Sequence, residues 1–318
     1  MTGSRPATTA RFEAVDVARG VALVAMAIYH FAWDLSFYGL IATDIGGHPG
    51  WAAFARAIAG SFLALVGVSL VLALRGGFRA KPFLRRLAMV GGAALAITIV
   101  TWFAFPRDFI WFGILHCIAV SSVLGLAFHR LPAWTLAVLA ALALAAPSFL
   151  AAPVFDAPAL RWIGLMTYFP RTNDYVPLLP WFGMVLIGMA AAKAALNSGI
   201  SERLARWKVD SRAAGILRWM GRHSLIFYLV HQPALLGALF LVTLIPGIGG
   251  RAEETAFLRQ CEASCAATGS TAEICTAYCG CIAEESRDTD LWTPLTSGEL
   301  TADQSARLND LAGLCAAR

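Results

Sequence analysis

The chain has 318 residues, 58% of them hydrophobic and 14% charged, a balance that excludes an ordinary soluble globular protein. Its net charge of +5 hides a split, with 20 Lys and Arg against 9 Asp and Glu in residues 1–250, and 5 against 11 in residues 251–318. The basic charges lie between long apolar windows, so they do not point to nucleic acid, and the acidic end is a separate object.

Residues 1–14 are polar, and no small-residue cleavage site follows a short apolar core, so they read as a cytoplasmic N-terminal segment and not as a cleavable signal peptide. Apolar windows follow at roughly 15–41, 51–74, 87–105, 109–128, 133–151, 176–196 and 223–246. A run of ~20 apolar residues crosses a bilayer as a helix. The expectation is therefore an all-α, multi-pass transmembrane bundle of about seven spans over residues 15–249. Windows three and four are separated only by Pro106, Arg107 and Asp108, which predicts a tight helical hairpin. Leu160 to Phe169 is too short to cross and reads as an interfacial or re-entrant piece.

Basic residues fall in alternate loops. Arg5 and Arg11 precede the first window, Arg75, Arg79, Lys81, Arg85 and Arg86 lie between the second and third, His129 and Arg130 follow the fourth, and Lys193, Arg203, Arg206, Lys208, Arg212, Arg218 and Arg222 lie between the sixth and seventh. The positive-inside rule places these loops and the N-terminus in the cytoplasm. With seven spans, the tail at 250–318 is extracytoplasmic.

That tail holds six of the seven cysteines, Cys261, Cys265, Cys275, Cys279, Cys281 and Cys315. An even, dense set fits disulfides in an oxidising compartment. Cys-x3-Cys puts two thiols on one helix face, and two such pairs suit a clipped helical hairpin. Antiparallel pairing joins Cys261 to Cys279 and Cys265 to Cys275, leaving Cys281 for Cys315, with other pairings and a metal site open at this point. The tail reads as an extracytoplasmic cap or protein-binding module, and Cys117, inside the fourth window, reads as a core residue.

Few polar residues interrupt the windows. Asp16 and Arg19 open the first, His30 and Asp34 lie deeper in it, Arg56 is in the second, His116 in the fourth, and Tyr228, His231 and Gln232 in the seventh. Ionisable groups inside a span are costly and mark function by default. His30 and Asp34 are four residues apart, on one helix face, so the carboxylate can orient the imidazole as a base. The helical rise puts His30, His116 and His231 at ~16, ~10 and ~12 Å from the nearer membrane surface, within reach of one layer. The competing account is structural, since polar side chains also join helices in lipid. Two outward loops could complete a site: Asp44 to Trp51, which carries His48, and Tyr168 to Tyr175, whose aromatics flank Arg171 and Asp174 in a mix suited to a sugar or to an interfacial belt.

Arg11-Phe-Glu-Ala-Val-Asp16-Val-Ala-Arg19-Gly20 resembles the opening of multi-pass membrane acyltransferases, and the ten residues between Arg19 and His30 resemble the Arg-x10-His spacing of acyltransferases that modify surface glycans. The ordered set Phe62–Leu70, Trp111–His116, Asp174–Gly183 and Gly221–Pro233 is closer to bacterial relatives of heparan-α-glucosaminide N-acetyltransferase. The resemblance covers about residues 10–246 and omits the Cys-rich tail. It implies transfer of an acetyl group from cytoplasmic acetyl-CoA to an amino sugar or other glycan across a bacterial inner membrane, with acetyl-CoA as donor substrate and no metal. It also implies a histidine that handles the acetyl group or a proton. One branch of the resemblance points to His48 with Trp51, the other to His30.

The expected catalytic set is thus His30, Asp34, His48 and His116, with His116 or a buried amide donor at the oxyanion. The expected substrate-binding set is Arg19, Trp51, Arg56, Asp174, His231 and Gln232. Expected partners are the bilayer, the acyl-CoA donor and the glycan acceptor, with a homodimer open and nucleic acid excluded. Two other classes remain: a proton-coupled transporter, which uses buried His and Asp and predicts internal repeats or broken helices, and an inactive anchor for the tail.

Overall fold

A computed structural model describes residues 12–207, 211–245 and 247–317; Arg5, Arg11 and Lys208, which carry part of the charge pattern, lie outside the described residues. The regular secondary structure of the described residues is helical, joined by turns and loops, with one isolated parallel bridge between Phe112 and Tyr175. In chain order the helices are α1 Glu13–Phe37, α2 Pro49–Leu74, α3 Ala80–Ala104, α4 Ile114–Phe128, α5 Ala133–Leu150, α6 Leu178–Asn197, α7 Ile200–Arg206, α8 Arg212–Arg222, α9 Ser224–Thr243, α10 Ile248–Ala266, α11 Ala272–Asp288, α12 Trp292–Ser297 and α13 Ala302–Ala316. Among the described residues six of these, α1, α2, α3, α5, α6 and α9, are long and apolar enough to cross a membrane, and α4 is apolar but has 15 residues. Large exposed apolar side chains such as Phe103, Trp134 and Phe149 suit lipid, since a soluble surface rarely shows such patches.

The chain divides into two compact units. The first takes the chain up to Met26 together with Ala55–Leu229; the second takes Ala27–Phe54 and Val230–Arg318. In the first unit, Leu63 and Leu70 of α2, Cys117 of α4, Leu136 of α5 and Val185, Leu186 and Met189 of α6 form a continuous buried core. Lipid tails are as apolar as leucine, so these helices associate by close packing rather than by escape from water. Glycine permits it: a Cβ on Gly188 would fall on the carbonyl oxygen of Ala64, and one on Gly67 on that of Val185.

The hairpin between α3 and α4 differs from the expectation. The apolar run from Phe109 is not helical until Ile114. Its backbone groups are bonded elsewhere: Ile110 N–H donates to Thr101 Oγ1 at 3.0 Å, Ile110 O accepts from Thr98 Oγ1 at 2.7 Å, and Phe109 O accepts from Thr172 Oγ1 at 2.7 Å. Hydropathy alone reads such a segment as helix because it does not register these partners. The segment expected to be interfacial, Leu160 to Phe169, contains a single 3₁₀ turn at Arg161–Ile163, closed by Gly164 at φ 92°. The charged connection before α9 carries two helices of its own, α7 and α8.

In the second unit, α1 and α9 run in the same direction. The pairs His30 with His231, Asp34 with Gln232 and Tyr38 with Leu236 ascend together. Parallel first and last apolar helices require an odd number of crossings between them. Helices α2, α3, α4, α5 and α6 supply one only if the short α4 also crosses, which gives about seven spans. The tail carries disulfides Cys261–Cys279, Cys265–Cys275 and Cys281–Cys315, the pairing the helical spacing favoured. They clip α10 to α11 and α11 to α13 around Ile282, Leu311 and Cys315. Trp292 closes this small core, with Phe257 edge-on at 5.4 Å and the Arg287 guanidinium 4.6 Å over its ring.

Candidate active site

Helix α1 presents His30 and Asp34 one turn apart, and α9 presents His231 and Gln232 in succession. His30 Nδ1 lies 2.6 Å from His231 Nε2, with the rings 15° from parallel. One ring nitrogen of this pair donates and the other accepts, so the contact couples the two tautomers: in neutral rings the proton is on Nδ1 of both or on Nε2 of both. Asp34 is fully buried and accepts from Gln232 Nε2 at 2.6 Å. The helix-face argument put Asp34 forward as the partner of His30; the observed partner is His231, and the Asp34 carboxylate takes the amide donor of Gln232. Asp34 Oδ2 and Gln232 Oε1 are buried and have no partner among the described residues. Two acceptors without a donor suit an N–H or O–H group, because an unmatched buried acceptor costs about 1–3 kcal/mol.

The same unit contains His48 and Trp51. His48 is exposed in the loop before α2, where its Nδ1 accepts from Gly50 N–H at 3.2 Å. Trp51 packs on Tyr29 at 6.2 Å between centroids, and Tyr29 lies 5.6 Å from the ring of His30. Asp44 Oδ1 closes the turn by accepting from Gly46 N–H at 3.0 Å.

Arg19, Arg56, His116 and Asp174 belong to the first unit. Arg19 donates to the buried Asp16 at 3.1 Å and to Ser69 Oγ, and Arg222 of α8 donates to the other Asp16 oxygen at 3.3 Å. A Cβ on Gly221 would fall on the Asp16 carbonyl oxygen, so α8 lies against the first turns of α1 and this network joins α1, α2 and α8. Arg218 adds a 2.8 Å ion pair with Glu13. Arg56 is exposed on α2.

His116 is committed at both ring nitrogens. Its Nδ1 accepts from Gly113 N–H at 3.2 Å, so the proton is on Nε2, which faces Thr98 Oγ1 at 3.2 Å. Thr98 Oγ1–H in turn donates a hydrogen bond to Ile110 O at 2.7 Å. Asp174 Oδ2 accepts from Ile114 N–H at 2.9 Å, at the N-terminus of α4. Burial pushes the Asp174 carboxyl up to about 6 from 3.8, against the lowering effect of that bond. Its neighbour Tyr175, also desolvated, is pushed up to about 12.

Sequence reasoning did not single out Ser36, Tyr29, Tyr38, Ser69, Thr98 or Arg259, which bond or pack around these groups. Their signal is weak, because a hydroxyl in an apolar helix reads equally well as one that bonds its own preceding turn, as Ser69 also does with Leu65 O.

These features define a multi-pass helical membrane protein with a partly buried imidazole pair beside a buried carboxylate–amide pair. Residues 11–233 match the family described as heparan-alpha-glucosaminide N-acetyltransferase, catalytic, and the chain belongs to that family. It is an acyltransferase-type membrane enzyme. No curated protein and no solved structure matches the chain. The match ends at Pro233, just past Gln232, so it contains both pairs and leaves the Cys-rich tail outside.

Proposed function

We propose that the protein moves an acetyl group from cytoplasmic acetyl-CoA to an amino sugar or related glycan on the extracytoplasmic side of a bacterial inner membrane. The observation that carries this reading is the 2.6 Å contact between His30 and His231 in a chain of this family. With His30 donating Nδ1–H to His231, His30 Nε2 keeps a lone pair directed away from the partner ring. That nitrogen takes the proton of the attacking amine or hydroxyl, or holds the acetyl group between thioester and acceptor. Only the second route leaves label on the protein. Asp34 Oδ2 and Gln232 Oε1 hold the N–H or O–H groups of the acceptor, and Trp51, His48 and the loop at 42–51 meet its ring. His116 and Asp174 fix the N-terminus of α4, so the oxyanion is left to other donors.

Exposed Arg75, Arg79, Lys81, Arg85 and Arg86 suit the phosphates of the donor. Arg19 acts as a positioning group through Asp16 and Ser69. The positive-inside pattern supports a cytoplasmic N-terminus, and three disulfides support an extracytoplasmic tail at 250–318, beyond a transmembrane domain at 15–249. The test is incubation of the purified protein in lipid with radiolabelled acetyl-CoA and a panel of amino sugars. Label on at least one sugar is expected, and label on neither sugar nor protein would overturn the reading.

A further inference from the structure

The tail lies beyond the family match, yet it is built into the same compact unit as His30, Asp34, His48, His231 and Gln232. It meets the end of α1 at two places. Gly39, at φ 69°, has no room for a side chain, because a Cβ there would fall on the carbonyl oxygen of Ala252 in α10. One turn before Gly39 along the chain, Arg259 Nη1 donates to Ser36 Oγ at 2.7 Å. Ser36 is buried, two residues past Asp34, and its hydroxyl also receives Ile45 N–H at 3.5 Å, with Ile45 buried as well. One hydroxyl therefore gathers the end of α1, the loop that carries Asp44 and His48, and the tail.

Arg259 is held from behind. It stands two residues before Cys261, whose disulfide to Cys279, with Cys265–Cys275 a turn later, clips α10 to α11. Among the described residues Arg259 has no carboxylate partner; its bond goes to the serine that orders the loop. We infer that Arg259 is a positioning residue for the acceptor side of the reaction, and that the disulfide-bonded tail is a working wall of the active site. The inference rests on the reading that His30 and Asp34 form the reaction centre and that the 42–51 loop meets the acceptor.

The experiment uses full-length protein in nanodiscs, as wild type, Arg259→Ala, Arg259→Lys and Ser36→Ala. Two readouts are taken: kcat with separate KM values for acetyl-CoA and for an amino-sugar acceptor, and hydrogen exchange of peptides covering 38–48. Arg259→Ala is expected to raise the acceptor KM about tenfold, the worth of one charge-assisted hydrogen bond. The acetyl-CoA KM should stay within about twofold, since its phosphates are read elsewhere. Exchange should quicken in 38–48, Ser36→Ala should behave likewise, and Arg259→Lys should recover most of both effects. Unchanged exchange in 38–48 overturns the inference, and so do parallel shifts in both KM values with faster exchange throughout the chain. A wild type that transfers no acetyl overturns the proposed function instead, while the exchange comparison still decides whether Arg259 orders the loop.

Discussion

Replacing His231 tests the imidazole pair most sharply, because it leaves His30 in place and removes only its partner. A net hydrogen bond between neutral groups is worth about 0.5–1.5 kcal/mol, and 1.4 kcal/mol is about tenfold in a population. The His30–His231 contact is short, at 2.6 Å, and partly buried, so the upper end applies. His231→Ala should therefore lower kcat about tenfold by releasing the His30 tautomer and ring orientation. His30→Ala removes the acting group, which accounts for about 10²–10⁴ in rate. Residues that act as a unit are not additive, so the double variant should be no slower than His30→Ala alone. His231→Gln, which retains an acceptor, should recover part of the loss. The assay is initial rate of acetyl transfer in nanodiscs, with thermal melting of each variant as a folding control. Additive losses in the double variant, or His30→Ala within tenfold of wild type, would refute the argument.

Three further outcomes follow from the buried groups. Gln232→Ala strips the fully buried Asp34 of its Nε2 donor and should cost about 1–3 kcal/mol, a Tm fall of about 2–4 °C per kcal/mol; Asp34→Asn, which exchanges an unpartnered acceptor for a donor, should melt no lower than wild type. Asp16 is buried between Arg19 and Arg222, whose guanidinium groups reach solvent, so Asp16→Ala leaves no buried unpaired charge and should cost about 1–3 kcal/mol, read as a lower Tm. Asp174 has its folded value raised to about 6 from 3.8, so its stabilising contribution is full below about 3.8 and is lost as pH rises through about 6. Asp174→Asn still accepts from Ile114 N–H and cannot ionise. Its melting advantage over wild type should be largest near pH 8 and narrow toward pH 4, and a constant gap would contradict the assignment.

Much of the architecture is legible in the sequence because lipid imposes a simple rule, that a spanning segment must be apolar and must satisfy its own backbone. That rule finds α1, α2, α5, α6 and α9 within a few residues, but it starts α3 seven residues late: the helix begins at Ala80, and Lys81, Arg85 and Arg86, read as loop residues, lie in its first turns. It misplaces the start of α4, where threonines at 98, 101 and 172 bond the backbone of an apolar loop. The disulfide pairing is legible because cysteines four apart share a helix face. The tail's full extent is not: α12 and α13 complete a core whose apolar positions are too few to show a strong period. Local spacing brings His30 and Asp34 to attention, but their bonds run to residues 231 and 232, about 200 positions away, and no local pattern encodes that meeting. The Arg259–Ser36 bond is hidden for the same reason.

The central claim, that His30 handles the group transferred across the membrane, is tested most directly in sealed vesicles with radiolabelled acetyl-CoA on the side of the basic loops and an amino sugar on the side of the tail. Wild type is expected to place label on the sugar, and His30→Ala, inserted and melting like wild type, to place none. Label on the sugar from the His30→Ala protein would contradict the account.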